Sequence, residues 1–480
     1  MPDQEEEKRL PAKRAEIRAP SRLRRTLLVA VALVLAAAAG VAGVVVLTDT
    51  GSEDPAGTAA ETVPAAVIPD LVVPAPVLAD DSGDEPLPDP AALATLLATT
   101  VSDPRLGGRL LARVVDVTDG QVLFDSAGDQ PGTPASNAKL LTAFAALSTL
   151  DPGARLSTRV VAGTEPGQIV LIGGGDTTLS RTAPSLSYPG APTVADLAQQ
   201  VLGNAAGQIT SILVDGSLYT GPSVSPEWRS GDAPSTYAAP ITATMVDGGR
   251  VAPGSRSRSA TPDLDAGAAL AAALGLPDLP VALGTAPAAT DLLGEVESAP
   301  VARLVETMLS LSDNVLAESL ARQIALARGQ SGDFVGAAIA MTEAIAAAGL
   351  DTTGLTVVDG SGLAGRNAVP TRLLTDLLRA AAAEDGNPDL APIISGLPVA
   401  GYDGTLVERY EGGRAVGAGS VRAKSGTLDG VNSLSGYVVT AEGRFLAFAL
   451  IADQLPPGPL IGGEPVLDAV AGILASCGCR

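Results

Sequence analysis

The sequence predicts an α+β protein, in which an antiparallel sheet flanked by helices is interrupted by an inserted mixed domain and preceded by a transmembrane helix. Three observations indicate this. Residues 420–424, 431–440 and 444–453 form runs typical of successive antiparallel strands. The middle of the chain changes to short strands between loops rich in Pro, Gly and Ser. A long uncharged stretch near the beginning is apolar enough to cross a bilayer.

The amino-terminal region predicts a membrane anchor and a linker. Residues 1–26 are a basic cytoplasmic head, and residues 27–47 are a 21-residue stretch without charge. Basic residues before this stretch place the amino terminus in the cytoplasm and the rest outside it. The length favours an uncleaved single-pass anchor, whereas cleavage near residues 40–43 would release a secreted protein. Residues 48–90, with eight prolines, predict an acidic, partly extended linker.

Residues 91–155 are predicted to form the first part of a catalytic domain. Ser136 stands at the start of an apolar helical run, directly after Pro134-Ala135. Thr118-Asp119-Gly120 is a good hairpin turn between two strands. The predicted elements are a helix, these two strands and a second helix, at residues 91–99, 108–117, 121–125 and 138–150.

Residues 156–295 are predicted to form the inserted domain, and residues 296–480 are predicted to form the second part of the catalytic domain. The insert has strands at 168–172 and 209–215 and a helix at 193–202. We expect that the insert can be altered with little loss of the acylation of the protein by penicillin. The second part adds a helix that begins at the N-cap Thr371. Its predicted helices are residues 301–310, 314–328, 333–348, 371–383 and 465–476.

Composition excludes several kinds of chemistry. The chain has no histidine, so Ser-His-Asp, Cys-His and HExxH sites are absent. The net charge of −22 disfavours nucleic acid as a partner. Cys477 and Cys479 are the only cysteines, too few for a disulfide framework, and whether they form a small Cys-Gly-Cys ring stays open. No metal or organic cofactor is predicted.

The lysines point to a serine activated by an amine. Beyond residue 25 the chain contains only Lys139 and Lys424, against 21 arginines. Arginine cannot give up a proton in proteins, whereas a lysine can once burial or a neighbouring cation lowers its pKa. Ser136 and Lys139 lie one helical turn apart, so a neutral Lys139 could accept the Ser136 hydroxyl proton. Lys424 is the lysine available as the second cation that keeps Lys139 neutral.

Each motif alone has an ordinary structural explanation. Ser-x-x-Lys is compatible with a capped helix and a solvated lysine, Ser-x-Asn with a helix cap, and Lys-Ser-Gly with a polar turn. All three occur here in order, on a helix start, between two helices and on a strand. They are Ser136-Asn137-Ala138-Lys139, Ser312-Asp313-Asn314 and Lys424-Ser425-Gly426-Thr427. This ordered set is typical of serine enzymes that react with penicillin.

The chain resembles the class C low-molecular-mass penicillin-binding proteins, which are D-alanyl-D-alanine carboxypeptidases and endopeptidases of bacterial cell walls. The resemblance covers about residues 90–476. It implies the transpeptidase-like fold shared by serine β-lactamases and penicillin-binding proteins, with an inserted domain between the first two motifs. Further matching stretches are residues 103–107, 134–136, 173–176, 312–318, 359–363 and 397–406.

The resemblance implies catalytic roles. Ser136 would be the nucleophile that forms an acyl-enzyme with the penultimate D-alanine, and Lys139 its base. Ser312 would relay a proton to the leaving amine. Lys424 would supply positive potential. The N–H groups of Ser136 and Thr427 would form the oxyanion hole.

The resemblance also implies substrate contacts. Asn314 would hold the substrate amide. Ser425 and Thr427 would bind the terminal carboxylate across Gly426. The family more often has Thr at position 425, but the hydroxyl group is retained. Expected partners are peptidoglycan stem peptides, β-lactam antibiotics as covalent inhibitors, and the cytoplasmic membrane through the amino-terminal helix.

Two other functions stay open from the sequence. A serine β-lactamase-like hydrolase would share the three motifs, although no dedicated water-activating base can be named. A non-catalytic penicillin-fold protein could bind the wall through its insert, although its catalytic residues are intact. The sequence does not distinguish carboxypeptidase from endopeptidase activity, because both use the same groups.

Overall fold

A computed structural model describes residues 85–383, 386–410, 416–459 and 461–479. The predicted basic head, the transmembrane anchor and nearly all of the linker therefore lie outside the described residues. Within those ranges, none of the helices combines the length and apolar character needed to cross a bilayer. The described residues all belong to one compact unit of the chain.

The strands confirm an α+β architecture with two main sheets. They are β1 (Leu111–Asp116), β2 (Val122–Ser126), β3 (Pro131–Gly132), β4 (Ser157–Ala162), β5 (Gln168–Gly173), β6 (Ser211–Asp215), β7 (Val281–Leu283), β8 (Leu292–Glu297), β9 (Val369–Pro370), β10 (Val421–Leu428), β11 (Val431–Val439) and β12 (Phe445–Ala452). The first main sheet has the order β10-β11-β12-β1-β2, and β3 pairs with β9 in a small separate ribbon.

The helices follow the predicted pattern closely. They are α1 (Pro90–Val101), α2 (Ala138–Thr149), α3 (Val194–Asn204), α4 (Pro262–Ala273), α5 (Val301–Leu311), α6 (Asn314–Ala327), α7 (Phe334–Ala347), α8 (Thr371–Ala382), α9 (Ala391–Gly396) and α10 (Glu464–Ser476). The helices α4 and α9 were not predicted, and one predicted cap is wrong. The N-cap of α8 is Pro370 rather than Thr371, because the extended backbone of β9 continues up to the helix.

The first main sheet, β10-β11-β12-β1-β2, is called the catalytic sheet below, and it is buried on both faces. Every neighbouring pair of its strands is antiparallel. Alternate residues of β12 point to opposite sides: Ala447 and Ala449 pack in the core formed with α2 and α5–α8. Leu446 and Phe448 pack in the core formed with α1 and α10. A strand enclosed in this way is almost continuously apolar, which explains the sequence FLAFALIA of β12.

The region predicted as an insert forms the second main sheet. Its strand order is β7-β6-β5-β4-β8, with parallel pairing between β5 and β6 and between β6 and β7. Helices α3 and α4 cover it and share one apolar core with its strands. A long irregular segment runs from β6 to α4, and its Trp228 and Ile241 pack with Val315 and Phe334 of α6 and α7. This segment therefore reaches the helices that carry the second motif.

The two cysteines lie at the end of α10. The structure joins Cys477 to Cys479 in a disulfide, which closes a Cys-Gly-Cys ring. Cys477 is buried against the apolar core under α10.

Candidate active site

Ser136 and Lys139 meet at the beginning of α2. Ser136 lies in a 3₁₀ turn, Ala135–Asn137, that leads directly into the helix, so that Lys139 follows one turn later. The Lys139 Nζ atom is 3.0 Å from the Ser136 Oγ atom. Helix geometry alone explains this contact, since side chains three positions apart share one face. The predicted pair is thus within hydrogen-bond distance.

The second motif forms the junction between α5 and α6. Ser312 ends α5 in the left-handed conformation, with a φ of 54°. Asp313 caps α6 by accepting hydrogen bonds from the N–H groups of Val315 and Leu316. Asn314 is the first residue of α6, and its Oδ1 accepts a 2.6 Å hydrogen bond from Lys139 Nζ. The tight turn thus presents Ser312 and Asn314 to the same cleft as Ser136.

Burial makes the ammonium of Lys139 a stronger acid than that of an exposed lysine. Its side chain is fully buried, and burial lowers its pKa to about 8, although the carboxylates of Asp359, Glu318 and Asp313 oppose that shift. Its ammonium donates to Ser136, to Asn314 and, at 2.7 Å, to the carbonyl of Ser361. About one tenth of Lys139 is consequently neutral at pH 7, and the neutral form is the one that a general base requires.

A loop that sequence reasoning did not assign a role completes the surroundings of Lys139. The Ser361 carbonyl accepts a hydrogen bond from Lys139, while the N–H groups of Gly360 and Ser361 donate to the buried Glu318 carboxylate at 3.0 and 2.8 Å. Burial and the neighbouring Asp359 raise the pKa of Glu318 to about 7. The stretches 312–318 and 359–363 were recognised in the sequence, but a backbone carbonyl has no side-chain signature from which its role could be predicted.

Asp359 holds this loop in place. Its carboxylate accepts hydrogen bonds from the N–H groups of Gly362 and Ala364 and from the indole of Trp228. Gly362 has a φ of +79°, and a Cβ atom there would lie 1.9 Å from the Ala135 carbonyl oxygen. A residue with a side chain at position 362 would therefore push the loop away from the turn that carries Ser136.

The third motif lies on β10, at one edge of the catalytic sheet. Ser425 and Thr427 line the cleft. The Ser425 hydroxyl lies 2.8 Å from the Thr405 hydroxyl, and the Thr427 hydroxyl donates a 2.6 Å hydrogen bond to Glu464. A Cβ atom at Gly426 would lie 2.9 Å from the Ser136 amide nitrogen, so the strand passes directly beside the nucleophile.

Lys424, the lysine of the third motif, is buried behind the cleft. It is fully buried, and its Nζ donates to the Ser425 carbonyl at 2.7 Å. Burial, Lys139 and Arg409 all lower its pKa well below the ordinary value of a lysine. Burial, and not the charge of Lys424, accounts for the low pKa of Lys139. Lys424 is not among the groups that shift the pKa of Lys139. Its role as the second cation of the site stays a prediction.

The cleft has a volume of about 530 Å³ and brings the predicted residues together. The residues predicted from the sequence that line it are Ser136, Ser312, Asn314, Ser425 and Thr427. Lys139 and Lys424 are buried behind this wall, in contact with it through the hydrogen bonds above. Other charged side chains on the wall are Arg229, Asp232, Arg256, Arg409, Asp429 and Glu464.

The inserted region forms part of this cleft. Arg229, Asp232, Tyr237 and Arg256 lie in residues 156–295 and line the wall. The side chain of Asn314 donates a 3.2 Å hydrogen bond to the Tyr237 carbonyl. The expectation that the insert tolerates alteration with little loss of acylation is contradicted, since its residues contact the catalytic groups.

Comparison with known proteins agrees with this geometry. The profile of the "D-Ala-D-Ala carboxypeptidase 3 (S13) family" matches residues 93–257 and 254–460. The chain belongs to this family. Carboxypeptidase DacB of Mycolicibacterium smegmatis is 41% identical over 471 residues, covering 96% of this chain and 99% of that protein. The D-alanyl-D-alanine carboxypeptidase of an Actinomadura species is 30% identical over 519 residues, covering 89% and 92%.

A solved structure supports the fold of this S13 family member. Penicillin-binding protein 4 of Haemophilus influenzae superposes with a TM-score of 0.64 at 19% identity, covering 78% of this chain and 97% of that one. The penicillin-binding-protein fold is thus confirmed. Together with the family match, the relatives confirm the prediction of a low-molecular-mass penicillin-binding protein and a serine-type D-Ala-D-Ala carboxypeptidase.

Proposed function

We propose that the protein hydrolyses the terminal D-Ala-D-Ala bond of peptidoglycan stem peptides through an acyl-enzyme on Ser136. The observation that carries this proposal is the fully buried Lys139 amine, 3.0 Å from the Ser136 hydroxyl and with a pKa lowered to about 8. A neutral amine at that distance can remove the hydroxyl proton as the oxygen attacks a carbonyl. The family match supplies the substrate class.

The acylation step uses residues of all three motifs. Lys139 takes the proton of Ser136, whose Oγ bonds to the carbonyl carbon of the penultimate D-alanine. N–H groups of Ser136 and Thr427 stabilise the oxyanion. The amide bond then breaks, and a proton returned through Ser312 leaves with the terminal D-alanine amine. Asn314 holds the substrate amide next to this centre.

Deacylation reverses the roles with water as the nucleophile. A water molecule gives its proton to Lys139 and attacks the Ser136 ester. The shortened peptide leaves as a carboxylic acid, and Ser136 regains its proton. This cycle needs only groups that the cleft already contains.

The terminal carboxylate of the substrate is proposed to bind at Ser425 and Thr427. Lys424 lies behind them, and an arriving anion favours its charged form, because an opposite charge raises the pKa of an amine. Substrate binding would therefore favour the positive charge of Lys424, which burial opposes.

β-Lactams are proposed to acylate the same serine. A second structure of the Haemophilus influenzae protein contains a bound β-lactam. Benzylpenicillin should form a long-lived ester with Ser136, and rapid turnover would instead favour the β-lactamase-like alternative. Failure of a fluorescent penicillin to label the wild type, with Ser136→Ala as the blank, would favour the non-catalytic alternative.

Digestion of defined muropeptides tests the peptidase reaction. A pentapeptide substrate should lose one D-alanine, detected by mass spectrometry, while Ser136→Ala releases none. A cross-linked dimer in the same experiment measures endopeptidase activity, which the same residues can perform. Intact pentapeptide after prolonged incubation with wild-type protein would contradict the proposal.

The protein is further proposed to be a single-pass membrane protein with its catalytic domain outside the cytoplasm. Support comes from the charge pattern around residues 27–47, where arginines precede an uncharged stretch. The linker at residues 48–90 would hold the catalytic domain away from the membrane. Cleavage of the anchor would give a secreted form instead.

A further inference from the structure

Asp313, the middle residue of the second motif, is buried under side chains from the inserted region. The Tyr188 hydroxyl donates a 2.7 Å hydrogen bond to its Oδ2. Arg250 lies 3.5 Å from Oδ2, and Arg258 lies 3.4 Å from both carboxylate oxygens. We call Tyr188, Arg250 and Arg258 the Asp313 clamp. All three belong to residues 156–295.

The clamp is itself held in a fixed geometry. Arg250 donates to the Tyr188 hydroxyl at 2.9 Å and to the Asp247 carbonyl at 2.8 Å, and its guanidinium lies over the Tyr188 ring. Arg258 donates a second, very short hydrogen bond to the Gly248 carbonyl. A Cβ atom at Gly248 would lie 2.2 Å from the Tyr188 hydroxyl, so the backbone closely follows the clamp. These contacts leave the three side chains little freedom to move.

Asp313 transmits this restraint to the catalytic residues on either side. Its Oδ1 caps α6 by accepting from Val315 and Leu316, and this fixes where the helix begins. Asn314, the first helical residue, then places Oδ1 2.6 Å from Lys139 Nζ. Ser312 precedes the cap in a left-handed conformation that costs free energy for a residue with a side chain. Such a conformation persists only where the surroundings enforce it.

We infer that the inserted region acts as a brace for catalysis, in which the Asp313 clamp holds the Ser312-Asp313-Asn314 turn in its reactive geometry. The clamp members are positioning residues, since they contact Asp313 and not the substrate. The inference rests on the proposed acylation of Ser136 and assigns the inserted region a role in that reaction.

The charge of Asp313 makes the clamp necessary. A carboxylate removed from water must be compensated by donors and cations, or it takes up a proton. Burial favours the neutral acid, but Arg258, Arg250 and the donated hydrogen bonds outweigh it and hold the pKa of Asp313 far below its ordinary value. A protonated Asp313 would be a poorer cap for α6, and Asn314 would no longer be held against Lys139.

Tyr188→Phe tests the inference with the least disturbance, because it removes one hydroxyl and keeps the buried ring. The acylation rate constant of the full-length protein with benzylpenicillin should fall about tenfold, as expected for the loss of one hydrogen bond to a charged group. Tyr219→Phe is the matched control. Its hydroxyl joins the same inserted region to the same helix, at Ser319 and Gln323, but it does not touch the second motif.

Tyr219→Phe should lower the melting temperature about as much as Tyr188→Phe while acylation stays within twofold of wild type. Equal losses of acylation in the two variants, or wild-type acylation by Tyr188→Phe, would overturn the clamp's role. A wild-type protein that is not acylated at all would instead overturn the proposed function and, with it, this inference. The two failures are therefore distinguishable.

A double-mutant cycle separates positioning from general destabilisation. If Tyr188 acts through Asn314, then Tyr188→Phe should cause no further loss of the residual acylation once Asn314→Ala is present. A general structural effect would instead lower acylation by the same factor in both backgrounds. If the loss of acylation in the double variant equals the product of the losses in the two single variants, the clamp does not act through Asn314.

Discussion

Lys139 keeps a proton less firmly than an exposed lysine because the effect of burial outweighs that of the neighbouring carboxylates. Burial favours the neutral amine, whereas Asp359, Glu318 and Asp313 favour the ammonium. The result, a pKa of about 8, leaves both forms available near neutral pH. A base with this pKa can take the Ser136 proton during attack and return a proton afterwards.

Replacement of Lys139 by arginine should abolish acylation although the positive charge is retained. A guanidinium does not lose its proton in the pH range of proteins, so it cannot act as the base. Fluorescent penicillin labelling measures the loss, which should reach at least about a thousandfold, within the range of general-base effects. A thermal melt shows whether the larger side chain still fits. Near-normal labelling of a folded Lys139→Arg protein would show that the amine is not the base.

Acylation should rise with pH through about 8 and then level off. The neutral form of Lys139 is the active one, and below its pKa the neutral fraction grows about tenfold for each pH unit. Between pH 6 and pH 8 the second-order rate constant for penicillin should therefore increase roughly 50-fold. Stopped-flow measurement across this range, at constant ionic strength, gives the profile. A rate constant that does not change from pH 6 to pH 9 would contradict a lysine base.

The nucleophile and its base could be predicted because their chemistry is local in the sequence. Ser136 and Lys139 are one helical turn apart, and an α-helix after Pro134 forces their contact. The carbonyl of Ser361 and the carboxylate of Glu318 could not be assigned in the same way. Ser361 contacts Lys139 through its backbone carbonyl, and Glu318 holds the same loop by accepting hydrogen bonds from the N–H groups of Gly360 and Ser361. Both roles depend on backbone atoms that every residue has, in a loop far along the chain from Lys139.

At the scale of elements, β10 and the turn that carries Ser136 are packed so closely that only glycine fits at position 426. A Cβ atom there would lie 2.3 Å from the Ser433 hydroxyl and 2.8 Å from the Pro134 carbonyl oxygen. Both atoms belong to elements that form the active site, and the Ser433 hydroxyl also donates to the Pro134 carbonyl at 2.6 Å. The distance between strand and nucleophile is thus set by the absence of a side chain.

Gly426→Ala should displace β10 from Ser136 and reduce acylation at least about tenfold, with a loss of stability of about 1–3 kcal/mol from overpacking. Gly216→Ala is a suitable control, since a Cβ atom there has no neighbour within 4 Å. Rate constants for penicillin and urea melts of both variants give the comparison. Equal acylation by the two variants would show that the strand can accommodate a methyl group without moving the oxyanion site.

Elements with strong apolar patterns were predictable, and those shaped by long-range packing were not. The strands β11 and β12 and the helices α5–α7 agree with the predicted spans to within about two residues, as their patterns require. The short strand β7 and the helix α4 lie in a part of the inserted region for which no individual helix or strand was predicted. Gly267 of α4 lets that helix approach the sheet, since a Cβ atom would lie 2.5 Å from Val281. A glycine within a helix lowers the helix propensity of that segment, so the sequence predicts the helix less clearly.

At the scale of the whole molecule, the insert is joined to the catalytic groups by contacts that leave no local signal. Asp313 pairs with Arg258, 55 positions earlier in the chain, and Asn314 bonds to the backbone of Tyr237. In the sequence the insert is only an interruption between the first two motifs, because no short stretch of the chain contains both partners of these contacts. The structure instead makes it one wall of the cleft.

The amino-terminal stretch should keep the whole protein in the membrane. An α-helix of residues 27–47 would be about 32 Å long at 1.5 Å per residue, close to the thickness of the hydrocarbon core. Full-length protein should therefore pellet with membranes and resist extraction by alkaline carbonate, whereas a chain starting at residue 48 should not pellet. A matched variant, Val34→Arg, places a charge near the centre of the stretch and should weaken insertion by about 2.5–3.5 kcal/mol.

Both of these altered chains should still be labelled by penicillin, because the anchor lies outside the domain that carries Ser136. Protease added to intact spheroplasts should degrade the catalytic domain of the full-length chain if, as proposed, that domain lies outside the cytoplasm. A culture supernatant containing protein whose amino terminus begins shortly after residue 43 would instead show that the stretch is a cleaved export signal. The enzyme would then act as a secreted protein, and its access to the wall would no longer depend on the linker.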